Sequence, residues 1–129
     1  MKKTLGIFLI CLMFASVSTF AQTTKKTTTK KAPKPIVGKV VSLNEVATGN
    51  FRTWTKMEAD TAATHGTPFV LLVGTGSSAK VYIVLFEDGS FAGKQLAKYA
   101  FNKKVGIVGK TKVKNKLNFI IAEKIESME

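Results

Sequence analysis

VGIVGKTKV at residues 105–113 and LNFIIAEKIE at residues 117–126 flank the short break Lys114-Asn115-Lys116. In the second run Leu117, Phe119, Ile121 and Ile125 fall on one apolar face, the period-two signature of a strand with one side buried. The first run is β-branched, and Lys110, Lys112 and Lys114 recur at the same spacing along it and its turn. The two runs read as a strand pair joined by a turn. Gly106 and Gly109 inside the first run suggest strong bending, as a strand that must curl into a small closed sheet requires.

Working outward, FVLLV at 69–73 and KVYIVLF at 80–86 are apolar runs separated by Gly74-Thr75-Gly76-Ser77-Ser78, which predicts a hairpin with both strands largely buried. IVGKVVSL at 36–43 is a further β-branched run, and residues 44–50 read as a loop because Asn, Thr and Gly are concentrated there. Thr53 or Thr55 is placed to cap a helix, with Thr55-x-x-Glu58 forming a capping-box pattern. Met57, Ala59, Ala62 and Ala63 favour that helix, while Gly66 and Pro68 end it. Glu87-Asp88-Gly89 breaks the chain again, and Ser90 is the expected N-cap of a second helix carrying Leu96, Tyr99 and Ala100, ended by Asn102 or the lysines after it. The order strand, helix, strand, strand, helix, strand, strand predicts a mainly-β fold: a small five-stranded OB-like barrel with one or two short helices.

The run from GKVVSL through HGTPFVLLV to VGIVGKTKV and IIAEKI resembles a group of small exported bacterial OB-fold domains. The matching pieces are Gly38, Gly66-Thr67-Pro68, Val105-Gly106-Ile107-Val108-Gly109 and residues 120–125. The likeness covers about residues 36–126, and because its motifs are structural it implies the fold far more than an activity. Some members carry cysteines after the first strand and in the early helix. This chain has Ser42, Leu43 and Asn44 in the first region and no cysteine between Met57 and Ala63, so no metal or redox role tied to those cysteines is carried over.

Residues 1–21 read as a secretory signal peptide. Lys2 and Lys3 precede an apolar run from Leu5 to Phe14, and Thr19 and Ala21 place small residues at the −3 and −1 positions. Cys11, the single cysteine, lies within the apolar run behind Ile10, a setting unsuited to lipidation, so the processed chain has no thiol for disulfide, zinc or nucleophilic chemistry. Residues 22–35, QTTKKTTTKKAPKP, contain no large apolar side chain and five lysines. They predict a disordered basic tether, with no transmembrane segment after signal cleavage. The barrel domain is expected over 36–129, and the protein in the periplasm or outside the cell.

The chain of 129 residues has 20 Lys and Arg against 8 Asp and Glu, a formal net charge of +12. Length and composition exclude a multidomain enzyme and a wholly disordered chain. Gly109-Lys110-Thr111 lacks the glycine that a phosphate loop needs five residues earlier, where Lys104 stands, and it sits in a strand pair instead of before a helix. Gly74-x-Gly76 precedes a strand, whereas a dinucleotide fingerprint opens a helix. His65 is the only histidine and falls at a helix end. The acids are scattered and no Ser–His–Asp set is visible, so no catalytic residue, metal or cofactor is expected.

The lysines are the stronger signal. Residues 90–121 hold eight of them and no acid. Lys104, Lys110, Lys112, Lys114 and Lys116 are therefore the expected anion-binding residues, the partner being an anionic polymer or surface, or else an envelope protein seated in the barrel groove. Trp54 and Tyr82 are the candidate groove aromatics, although Trp54, flanked by Arg52 and Lys56, also suits capping the open end of the barrel. Single-stranded nucleic acid is a third alternative but not the expected partner, because Arg52 is the sole arginine and bidentate recognition needs more of them.

Overall fold

A computed structural model of the chain describes Ala32–Glu129. The expected signal peptide and residues 22–31 of the expected tether lie outside the described residues. Strand β1 (Ile36–Ser42) is followed by helices α1 (Leu43–Thr48) and α2 (Lys56–Thr64). Strands β2 (Phe69–Val73) and β3 (Lys80–Leu85) come next, then helix α3 (Gly93–Ala97), and strands β4 (Val105–Lys114) and β5 (Leu117–Ser127) finish the chain. The five strands close into a barrel in the order β1-β2-β3-β5-β4. All neighbours are antiparallel except β3 and β5. Closure of five strands in this order, with a helix between β3 and β4, is compatible with an OB-like fold.

Alternation along the strands builds the interior. Val40, Leu71, Val84, Ile107 and Ile120 point inward and are fully buried, with Phe69, Leu96 and Val105 completing the core. Each such side chain contributes about 1.5–3 kcal/mol of transfer free energy. Ala59 and Ala63 of α2 and Leu96 and Ala97 of α3 close the core from the helical side. The β4–β5 register shifts between Val108 and Gly109, so that Glu123 is the extra residue of a bulge. A methyl at Gly109 would overlap the Ile121 carbonyl oxygen, which explains why glycine stands where the strand bends.

Two local expectations are corrected. Residues 44–50 are not all loop, because Leu43–Thr48 form α1. Ser42 Oγ accepts from the Glu45 N–H at 3.2 Å and Glu45 Oε2 accepts from the Ser42 N–H at 2.7 Å, a complete capping box. Gly49, at φ 72°, then supplies the left-handed residue that ends the helix. Ser90 does not cap α3. Its N–H and hydroxyl both donate to Asp88 Oδ1, at 2.9 and 2.6 Å, and that turn consumes the groups a cap would need. Helix α3 starts after Ala92 without a side-chain cap and ends at Ala97, so Tyr99 and Ala100 lie in the turns that follow it. The Thr55–Glu58 capping box is present as expected.

Candidate functional site

Strand β4 changes character halfway along. Val105, Gly106 and Ile107 are buried between β1 and β5, whereas Lys110 to Lys114 are all exposed. Partners across a ladder share a face. Lys110 pairs with Ile121, Lys112 with Phe119 and Lys114 with Leu117, so the three lysines and this apolar row stand together on the outer surface. This corrects the expected single buried face of Leu117, Phe119, Ile121 and Ile125: Ile120 and Ala122 point inward, and the extra residue Glu123 turns Ile125 to the inner side opposite Ile107. Ile83 and Leu85 of β3 extend the apolar row through their pairing with Phe119 and Ile121. Thr111 and Val113 occupy the opposite face, Val113 being 69% exposed. Asn115 and Lys116, at φ 51° and 65°, form the two-residue hairpin turn, whose left-handed pair matches the twist of the strands it joins.

Among the described residues the salt bridge is Lys124–Glu126, at 2.6 Å. Lys104, Lys110, Lys112, Lys114 and Lys116 thus carry uncompensated charge at the surface. Of these, Lys104 stands apart. It borders a groove of about 730 Å³ on the outside of β1, β2 and β3, together with Lys103 and Lys39. Val37, Leu72 and Val81 lie in its apolar floor, with Phe51 at one side. Lys110, Lys112, Lys114 and Lys116 do not line that groove. The structure therefore divides the five expected lysines between a groove rim and the β4–β5 hairpin.

The two aromatics expected in the groove are elsewhere. Trp54 is only 5% exposed, packs edge-on against Phe69 at 5.2 Å between ring centroids, and belongs to the core. Its indole N–H donates to Glu45 and the Arg52 guanidinium lies 3.4 Å from its ring centroid. It is not a surface platform for a base or sugar, and the alternative reading of Trp54 as a residue closing the barrel is the one its burial supports. Tyr82 pairs with the inward Leu71 and packs against the core. The groove aromatic is Phe51, 49% exposed. It shares the loop between α1 and α2 with Trp54, and its place directly after Gly49-Asn50 is what marks it in the sequence.

Glu45 is the buried charge of the domain, 6% exposed. Burial pushes its carboxyl up, but hydrogen bonds from the Arg52 N–H, the Trp54 indole and Ser42 outweigh that and hold it below the usual carboxylate range. With its oxygens occupied by donors of the chain itself, this carboxylate is a structural anchor. His65 ends α2, exposed, with Nδ1 2.8 Å from the Thr61 carbonyl oxygen. Among the described residues no cluster of three His, Cys, Asp or Glu side chains could hold a metal, and no helix is long and apolar enough to cross a membrane. No protein-family model matches the chain, no curated protein is similar to it, and no solved structure matches it.

Proposed function

We propose that this protein is an exported, non-enzymatic binding module that takes an anionic partner on the lysine row of its β4–β5 hairpin. The observation that carries the reading is the row itself. Lys110, Lys112 and Lys114 share one exposed face, Lys116 follows in the turn, and no carboxylate among the described residues is paired with them. Cations held at two-residue spacing on a strand sit about 6.8 Å apart. A partner with regularly spaced negative charge gains from several of them at once, and the attraction is weakened by salt. The likeness to small exported OB-fold domains and the lysine-rich stretch at 22–35 belong to the same reading, since both suit a basic module working at an anionic surface.

The test is retention of the full chain on an immobilised polyanion, with elution followed against salt, beside the variant carrying Lys110→Ser, Lys112→Ser, Lys114→Ser and Lys116→Ser. Retention of the wild type to distinctly higher salt supports the reading, and co-elution removes it. The groove beside Phe51 favours a second reading, a peptide or protein bound through Val37, Leu72 and Val81 under the rim lysines Lys39, Lys103 and Lys104. Binding of that kind is mainly apolar and survives salt.

A further inference from the structure

The hairpin carries an open strand edge as well as a lysine row. Strand β1 pairs with β4 only from Ile36 to Gly38, opposite Ile107 to Val105. That register would place position 35 opposite Val108 and earlier positions along Gly109 and beyond. Residues 32–35 form no strand, so β1 does not continue, and from Val108 to Lys114 strand β4 is paired on its β5 side alone among the described residues.

The hairpin turn decides which groups face outward. In a two-residue hairpin the closing pair, here Lys114 and Leu117, exchanges both of its hydrogen bonds, and pairs alternate from there. Lys112 and Lys110 therefore spend their backbone groups on β5. Thr111 and Val113 turn their N–H and C=O away from β5, toward the open edge. The edge thus offers backbone donors and acceptors at alternate residues, and lysine side chains on one face between them.

From this arrangement, and resting on the anion-binding reading above, we infer that the partner is an extended acidic polypeptide segment that adds as a strand to the open edge of β4, pairing its backbone with Thr111 and Val113. Its Asp or Glu residues, at every second position, lie beside Lys110, Lys112 and Lys114. Strand addition takes affinity from main-chain hydrogen bonds and selectivity from alternate side chains. Opposite charges on facing positions stabilise such a pair, and like charges oppose it. The same lysines therefore disfavour a second copy of this edge, which would set one lysine row against another.

The probe is an eight-residue peptide of alternating Thr and Glu, compared with the same peptide N-methylated at the amides that would face β4. Binding to the full chain is followed by fluorescence polarisation, and amide hydrogen exchange by NMR. The unmodified peptide is expected to bind and to slow exchange at the Thr111 and Val113 amides, with the methylated peptide weaker by about tenfold or more. Thr111→Pro removes a donor from the open edge while leaving the bonds to β5, and it is expected to lose the peptide yet keep its retention on the polyanion column. Equal binding of both peptides, or unchanged exchange at Thr111 and Val113, overturns strand addition while polyanion retention keeps the anion-binding reading. Co-elution of wild type with the four-serine variant overturns both. Concentration-dependent protection of the same amides without peptide identifies a second copy as the occupant and likewise overturns the proposal.

Discussion

The indole N–H of Trp54 donates to Oε2 of Glu45 at 3.0 Å, and the same oxygen accepts the Ser42 N–H at 2.7 Å. The other oxygen accepts the Arg52 N–H at 2.8 Å. One buried carboxylate thereby fixes the end of β1, the start of α1, and the loop that carries Phe51 to the groove wall. It holds together a stretch that has no regular structure of its own between Thr48 and Thr55.

Glu45→Ala leaves three donors facing a cavity. We expect a loss of about 2–4 kcal/mol in unfolding free energy, the range for stripping the acceptor from buried, charge-assisted hydrogen bonds. Glu45→Gln keeps one acceptor oxygen and should lose about half of that. Urea unfolding at neutral pH measures both. An alanine variant as stable as wild type would show that the three bonds do not constrain the fold.

The same carboxylate sets an acid limb. Its folded pKa lies below the ordinary value of 4.5, so its contribution is fully present above about pH 4.5 and is lost as pH falls through the lowered folded value. Glu58, held down by its hydrogen bonds to Thr55, and Asp88, held down by Ser90, act with the same sign at the surface. The urea midpoint should therefore fall on acidification, and Glu45→Gln should flatten part of that fall without abolishing it. A Glu45→Gln profile parallel to wild type would sink the assignment.

Glycine is required unequally in β4. A methyl at Gly109 would overlap the backbone of Ile121, which cannot move without opening the bulge, whereas one at Gly106 would meet the flexible Met128 side chain and Pro35 Cβ. Gly109→Ala should cost about 1–3 kcal/mol, as overpacking against a fixed neighbour does, and Gly106→Ala distinctly less. Thermal unfolding of the two variants compares them directly.

Trp54 is the sole tryptophan, so its fluorescence reports one site. Its burial against Phe69 and Glu45 predicts blue-shifted emission and weak acrylamide quenching, both reversed on unfolding in urea. A short single-stranded oligonucleotide should leave the emission unchanged. Quenching by the oligonucleotide would reopen the aromatic-platform reading.

The strands were legible because each is a β-branched or apolar run bounded by Gly, Asn, Asp or Ser. Residues 69–73 coincide with β2, and the others agree to within a residue or so at either end. Helix α1 is hidden in the sequence although Ser42-x-x-Glu45 has the same capping-box form as Thr55-x-x-Glu58, because the Asn, Thr and Gly residues around it carry a loop signal. Ser90 misled because a serine near a helix start can serve a turn instead of a cap. Period-two spacing was enough to put Lys110, Lys112 and Lys114 on one face. The open edge beside them was not legible, because it depends on the register of β1 against β4, a pairing about seventy residues apart in sequence. Trp54 was ambiguous for a similar reason, since its partner Glu45 lay in the stretch read as loop.

Lys124 supplies the control for the lysine row. It lies on β5 with its ammonium 2.6 Å from Glu126, which raises its pKa by hydrogen bonding and charge attraction. Its charge is already locally balanced, whereas that of Lys112 is not. Lys112→Ser and Lys124→Ser lower the net charge equally, so a purely global attraction would weaken polyanion binding equally in both. If the row is the binding surface, Lys112→Ser should reduce the slope of log affinity against log salt by about 0.7, the value for one lost contact to a flexible polyanion of single-strand charge density. Lys124→Ser should leave that slope nearly unchanged. Salt titrations of the two variants against one polyanion decide between a surface with geometry and a chain that is merely basic, and equal slopes would favour the second.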